Sequence, residues 1–273
     1  MAEHPHVKRF RRVLETRRRA AIEEADAALL DGLFAPDVVW HGAAGSSGDT
    51  AHGKDDVIAL WNGFAREGGP LVEVMEVYAD GLHTVATLAF SGDGGQSVDQ
   101  AVVFHLDPDG TVTEFWSMPT DRAIADAFAR RGPVPEHRNL PVFRAAENTR
   151  ERNTFEPEDI ENINAFLRED VEWHGAGDSQ WAEGVKGREN VIGLFKMFKQ
   201  ATGGTMHLAM HGMFADDTHA VSLAELTATR ADNPSKTMDM KEVNLFHLDE
   251  AGKAHEFWGI SEDTAIMDGF WAP

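Results

Sequence analysis

The chain states the same pattern twice. Asp37–Ala43 reads DVVWHGA and Asp170–Ala176 reads DVEWHGA. Ala101–Phe128, AVVFHLDPDGTVTEFWSMPTDRAIADAF, aligns without a gap to Val243–Phe270, VNLFHLDEAGKAHEFWGISEDTAIMDGF, with 13 of 28 positions identical. A period of about 135–140 residues is far longer than a solenoid unit of roughly 20–50 residues. It is the size of a whole domain. The 273-residue chain is therefore read as a duplicated domain. Residues 1–132 form the first copy, 133–145 a linker carrying Pro133, Pro135 and Pro141, and 146–273 the second copy. Two related domains on one chain can pair as the subunits of a homodimer do. The expectation is a monomer with a pseudo-dimeric core, packed sheet against sheet, with further self-association open.

Each half is long enough to bury a core without metal or disulfide. There is no cysteine, which excludes disulfides, thiolate metal sites and a cysteine nucleophile. No apolar run reaches the roughly 18 residues of a membrane span. The N-terminus, MAEHPHVKRFRRVLETRRRA, is basic but has no apolar segment of the secretory kind, so the reading is a soluble, cytoplasmic protein. The formal charge is −21, and such a surface repels phosphate backbones, so nucleic acid is not an expected partner. The basic cluster Lys8, Arg9, Arg11, Arg12, Arg17, Arg18 and Arg19 reads as a solvated helix face paired with Glu15, Glu23 and Glu24, with an anionic partner as the alternative.

Apolar spacing predicts a helix over 7–31, from Val7, Phe10, Val13 and Leu14 onward. A strand follows at Val38–His41, then a Gly/Ser loop over 42–53 and a helix over 54–65. Strands are expected over 72–78, 84–91, 97–106 and 111–118, with Asp109-Gly110 as a hairpin signal, and a closing helix over 121–130. The second half predicts a helix within 158–168, a strand at 171–174 and a helix over 188–200. Strands over 206–214, 220–229, 238–248 and 253–260 and a helix over 263–270 complete it. The fold class is α+β, each domain a curved antiparallel sheet with helices on one face.

The Trp-His-Gly strand end, the glycine-led helices (Gly53-Lys54-Asp55-Asp56-Val57 and Gly187-Arg188-Glu189-Asn190-Val191) and the closing Phe-Trp…Asp…Phe pattern resemble the SnoaL-like branch of the nuclear transport factor 2-like superfamily. That superfamily includes ketosteroid isomerase, limonene epoxide hydrolase and polyketide cyclases. The resemblance covers nearly the whole chain and implies two cone-shaped domains, each with an apolar pocket between sheet and helices. A fold of this kind hosts many chemistries and does not name one. In ketosteroid isomerase-like members an aspartate base follows the first strand. Here that neighbourhood is His41-Gly42 and His174-Gly175. A second acid lies early in the penultimate strand, where this chain has about Val102 and Asn244. Neither carboxylate is present, which argues against those two mechanisms.

Three histidine pairs recur: His41 with His174, His83 with His219, and His105 with His247. Histidine is the commonest general acid or base, and His41 and His174 end a strand where relatives place catalytic groups. The structural alternative is a hydrogen bond that anchors the loop. For His105 and His247, strand alternation sets them opposite Phe104 and Phe246. Trp40, Trp173, Trp116, Trp258 and Phe246 read either as core or as a flat wall for a ring-bearing ligand. The halves differ in polarity. Asn244, Glu242, Glu225 and His211 stand where the first half has Val102, Gln100, Ala89 and Met75. A carboxylate in an apolar cone has a raised pKa and suits acid–base work; the alternative for Glu225 or Glu242 is a cross-strand pair with Lys241 or Arg230 on a solvated face. No metal is expected, because His207 and His211, the one close-spaced pair, would lie about 13 Å apart in a strand. No nucleotide or phosphate motif occurs, so no cofactor is expected. Two readings follow. One is a cofactor-free cyclase, isomerase, dehydratase or hydrolase of small-molecule metabolism. It would use His174 or His41 with Glu242 or Glu225 as catalytic groups, and Asn244, His211 and the aromatics as ligand contacts. The other is a binding protein for a small apolar, ring-bearing ligand, using the same cavity without turnover.

Overall fold

Two phenylalanines on two opening helices organise the two halves. In the first, Phe10 on α1 (Pro5–Leu14) meets Phe104 with ring centroids 4.7 Å apart. In the second, Phe143 on α4 (Leu140–Arg152) meets the matching Phe246 at 5.3 Å. The computed structural model describes residues 4–18, 24–42, 50–64, 71–91, 97–119, 137–177 and 184–272. The chain divides into two units after Glu136.

In the first unit, Pro5 opens α1 in the first turn, where its missing N–H costs nothing. Val7, Phe10, Val13 and Leu14 are its buried stripe. A 3-10 turn, Glu15–Arg18, ends it, and a separate helix α2 spans Glu24–Leu33, so the single helix expected over 7–31 is two. The strand expected at 38–41 begins earlier, as β1 (Phe34–His41). The expected Gly/Ser loop contains a short strand, β2 (Thr50–His52), before α3 (Lys54–Phe64). Then come β3 (Leu71–Ala79), β4 (His83–Ser91), β5 (Ser97–Leu106) and β6 (Val112–Pro119). The sheet order is β2-β1-β6-β5-β4-β3. The helix expected over 121–130 lies outside the described residues.

The second unit repeats this plan with α4, α5 (Pro157–Phe166), β7 (Leu167–His174), β8 (Val185–Lys186), α6 (Arg188–Ala201), β9 (His207–Ala215), β10 (His219–Thr229), β11 (Thr237–Leu248), β12 (Ala254–Ser261) and α7 (Thr264–Trp271). Its order is β8-β7-β12-β11-β10-β9. The α+β class holds, but the sheets are mixed, because β1 pairs parallel to β6 and β7 parallel to β12.

The linker expected over 133–145 is corrected. The second unit begins at His137, and α4 starts at Leu140. Pro141 reads in sequence as linker punctuation, yet it sits in the first turn of the helix, where proline is tolerated. Leu140, Phe143, Ala146 and Glu147 are the buried stripe of α4. Asn139 fixes its start by donating from Nδ2 to the Asp216 carbonyl at 2.8 Å. Gly252, at φ +75°, must remain glycine there, since a Cβ would fall 2.4 Å from Asn139 Oδ1. No helix among the described residues is long and apolar enough to cross a membrane.

Two predictions come from this packing. Phe143 is fully buried among Phe166 and Phe246, so Phe143→Ala is expected to cost about 3–5 kcal/mol in urea unfolding. Val142→Ala, on the exposed side of the same helix, should stay within about 0.5 kcal/mol. In the first unit, burial, reinforced by His83, pushes His105 down from 6.5 to about 4. Between those values the unfolded chain binds a proton that the folded chain does not. Stability is therefore expected to fall as pH is lowered through that window, by up to roughly 3 kcal/mol. His105→Phe should flatten that part of the stability–pH curve.

Candidate functional site

The second unit holds a partly open cavity of about 70 Å³ between its sheet and its helices. Strand alternation builds the floor. Leu226 on β10, Met238, Glu242 and Asn244 on β11, Gly259 on β12 and Trp173 on β7 all face it. The helices supply Arg150 from α4, Phe195 and Phe198 from α6, and Met267 and Trp271 from α7. Asn153 and Phe155 close one side, both at positive φ (53° and 56°). This is an uncommon backbone for asparagine and an outlier for an aromatic residue. At position 259 glycine leaves open the space that Ser117 fills in the first unit, where Ser117 accepts a hydrogen bond from Trp40 Nε1 at 3.0 Å. A Cβ at 259 would stand 3.8 Å from Asn244 Oδ1 and 3.9 Å from Trp173 Nε1.

One polar network interrupts these apolar walls. Arg150 Nη1 donates to both oxygens of Glu147 at 3.0 Å. Its Nη2 donates to Asn244 Oδ1 at 3.3 Å and lies 3.7 Å from Glu242 Oε1. Asn244 Nδ2 donates to the same Glu242 oxygen at 3.0 Å, and Ser222 Oγ donates to Glu147 Oε2 at 2.7 Å. Glu147 and Asn244 are each 1 % exposed and Glu242 7 %. The Arg150 guanidinium also lies over the Phe195 ring, 5.2 Å from its centroid. Burial raises the pKa of the Glu242 carboxyl above its ordinary value, and Arg150 and the Asn244 hydrogen bond oppose this only in part. Glu242 thus holds its proton to higher pH than an exposed glutamate, within reach of groups that would stabilise its charge.

The structure brings together three of the residues singled out from sequence: Glu242, Asn244 and Trp173. The others lie elsewhere. His174 is displaced by alternation, because Trp173 takes the cavity side and its neighbour faces the opposite side of the sheet. There His174 Nε2 meets Glu256 Oε1 at 2.8 Å, and the ring stacks on Trp258 at 5.0 Å. Trp258 is therefore not a cavity wall. His41 repeats this arrangement, with Glu114 at 2.6 Å and Trp116 stacked at 4.9 Å. Trp116 belongs to that cluster, and Trp40 packs against the first unit's core. Phe246 is a core residue, stacked on Phe257 at 4.8 Å. Glu225 is exposed and pairs in register with Lys241. It is one residue out of phase with Ala224 and Leu226, whose side of the strand carries the core. His211 is exposed at an irregularity where β9 slips against β10.

Sequence reading missed Glu147, Arg150 and Ser222. The first two lie on the helix hidden in the linker assignment, and the i, i+3 spacing of Leu140, Phe143 and Ala146 is the signal that would have exposed it. Within the second unit, Glu172, His174 and Glu256 place one ligand atom each within 4.8 Å of one another, close enough for a cation. Lys186 Nζ already supplies countercharge there, 2.9 Å from Glu172.

The family model of the SnoaL-like domain matches residues 16–115 and again 149–257, together well over half of the chain. Similar solved structures each span one half. Bal32a, from a soil-derived mobile gene cassette, is 22% identical over 49% of this chain and 95% of its own, with a TM-score of 0.43. An NTF2-like protein of unknown function from Burkholderia pseudomallei is 22% identical over 50% of this chain and 98% of its own, at 0.40. IdmH, a proposed polyketide cyclase from Streptomyces antibioticus, is 15% identical over 49% and 98%, at 0.38. No curated protein matches the chain. The chain belongs to the SnoaL-like domain family and carries that domain twice in tandem.

Proposed function

We propose that the second domain is a cofactor-free acid–base catalyst for a small, largely apolar, ring-bearing molecule, of the cyclase, isomerase, dehydratase or hydrolase type. The observation that carries this is Glu242, a buried carboxyl with a raised pKa, facing an aromatic cavity. Its Oε1 is engaged by Asn244 and Arg150, so Oε2 is the oxygen through which it meets a ligand. Protonated, it donates to a ligand carbonyl or hydroxyl oxygen. The carboxylate left behind is stabilised by the Asn244 N–H and the nearby Arg150 charge. This stabilisation grows as charge develops, which is the condition for lowering a barrier rather than merely binding. The Glu242 carboxylate then takes a proton from the carbon next to that carbonyl, giving the enol and the protonated acid. Exchange of that acid proton with solvent and reversal of the two steps regenerate the ketone and the site.

The role first given to His174 passes in this reading to Glu242, since His174 stands outside the cavity. Binding without turnover is the alternative, favoured by the small volume. The three methionines Met206, Met238 and Met267 in the lining allow the space to widen, because their side chains repack readily.

The test is proton exchange on aromatic ketones and hydroxyketones in deuterated water, followed by NMR. Wild type is expected to exchange protons next to the carbonyl. Glu242→Gln should slow this by about a hundredfold or more, and His174→Ala by no more than about threefold. Glu242→Gln should also raise the unfolding free energy at neutral pH, because it removes an acid whose ionisation burial opposes. Exchange that is unchanged in Glu242→Gln would exclude Glu242 as the proton carrier. Bound ligand with no exchange in wild type would establish the binding reading.

A further inference from the structure

We infer that Glu147 sets the cavity's ligand class: it occupies Arg150 and so excludes anionic ligands, leaving neutral ring compounds with a carbonyl or hydroxyl group. The inference rests on the reading above, that this cavity receives a ligand. A guanidinium on a cavity wall is by itself a receptor for carboxylates and phosphates. Here it is already engaged. Nη1 serves both Glu147 oxygens, and Nη2 is turned to Asn244 and toward Glu242. Arg150 and Glu242 are the only charged side chains among the described residues that line the cavity. Behind them stands Glu147, so one buried cation faces two buried acids. The network is neutral when Glu242 holds its proton and carries one negative charge when it does not. An entering anion finds no uncompensated positive charge in either state, and it sits in a low-dielectric space where like charges repel strongly.

Glu147 is not demanded by the fold. Counting from Phe10 and Phe143, which pack on the matching Phe104 and Phe246, the position of Glu147 is Leu14 in the first unit, fully buried and apolar. Counting from the matched His83 and His219, Ser222 corresponds to Ala86, which holds no partner for an acid. The scaffold therefore accepts an apolar pair at these two positions. In the second unit it carries a carboxylate that is 1 % exposed and a serine that is fully buried and holds it. Burying an acid is costly unless it is paired and used, and its effect on the cavity is to cancel Arg150.

The test uses the full chain and two planar isosteres at neutral pH, benzamide and benzoate, with binding read by titration calorimetry and by tryptophan fluorescence. Wild type is expected to bind benzamide at least about 30-fold more tightly than benzoate. Glu147→Gln keeps the shape and an acceptor for Ser222 but releases the Arg150 charge, so benzoate affinity should rise to match or exceed that of benzamide. Equal binding of the two probes by wild type would overturn the inference alone. So would a folded Glu147→Gln that binds benzamide and still rejects benzoate. Failure of wild type to bind either probe would overturn the cavity as a ligand site, and this inference with it. The wild-type comparison decides the matter even where the variant does not fold.

Discussion

The second domain is organised around one arginine held between two acids in an apolar interior. Arg150 is surrounded by Glu147, Glu242 and Asn244; these three are buried, and the arginine side chain keeps 13 % of its surface exposed. Such a cluster is poor evidence of stability, since an apolar replacement of the same volume commonly does as well. Its members depend on one another, however. Removing Arg150 or Glu147 alone leaves the other's charge uncompensated, which is far more costly than losing both. Ser222 and Asn244 satisfy the remaining lone pairs, and this completeness is what lets the network persist beside Trp173 and Phe195. The helix that delivers Glu147 and Arg150 also delivers Phe143 to the core. The docking of α4 thus fixes the geometry of the site and the integrity of the domain through one set of contacts.

The arrangement also explains why Glu242 rather than Glu147 is the group suited to move a proton. Glu147 receives two hydrogen bonds from Arg150 and one from Ser222, so both of its oxygens are held. Glu242 has a hydrogen bond from Asn244 and a more distant arginine, and burial outweighs them. The two carboxyls beside Arg150 therefore differ: both Glu147 oxygens are held, whereas at Glu242 burial outweighs the groups that would stabilise its charge.

Much of the fold was legible from sequence because the duplication and the strand periodicity are strong signals. The paired Phe-Trp strands and the Asp-Gly hairpin read directly. What escaped was local and had physical causes. The helix α4 was hidden by Pro141, whose ring is harmless in a first turn but looks like a linker signal. The site was half legible. Asn244 and Glu242 stood out because their counterparts, Val102 and Gln100, are less polar or uncharged. Glu225 failed on phase alone: one residue along a strand reverses the face. His174 failed for the same reason, its neighbour Trp173 taking the cavity side.

The duplication separates scaffold from chemistry in a way that a single domain would not. The stacked histidine, tryptophan and glutamate recur in both units with nearly the same geometry, His41 with Trp116 and Glu114, His174 with Trp258 and Glu256. In the second unit they lie on the face of the sheet away from the cavity. In both units they lie across the parallel pair, β1 with β6 and β7 with β12. Among the described residues, the network of Glu147, Ser222, Glu242 and Asn244 occurs once, and it converges on the cavity wall. The corresponding positions Leu14, Ala86, Gln100 and Val102 show that the same scaffold closes without a second acid–arginine network. The first unit closes with apolar or uncharged residues at these positions, and burying acids is costly unless they are paired; that contrast is the basis for proposing this cavity as the ligand site.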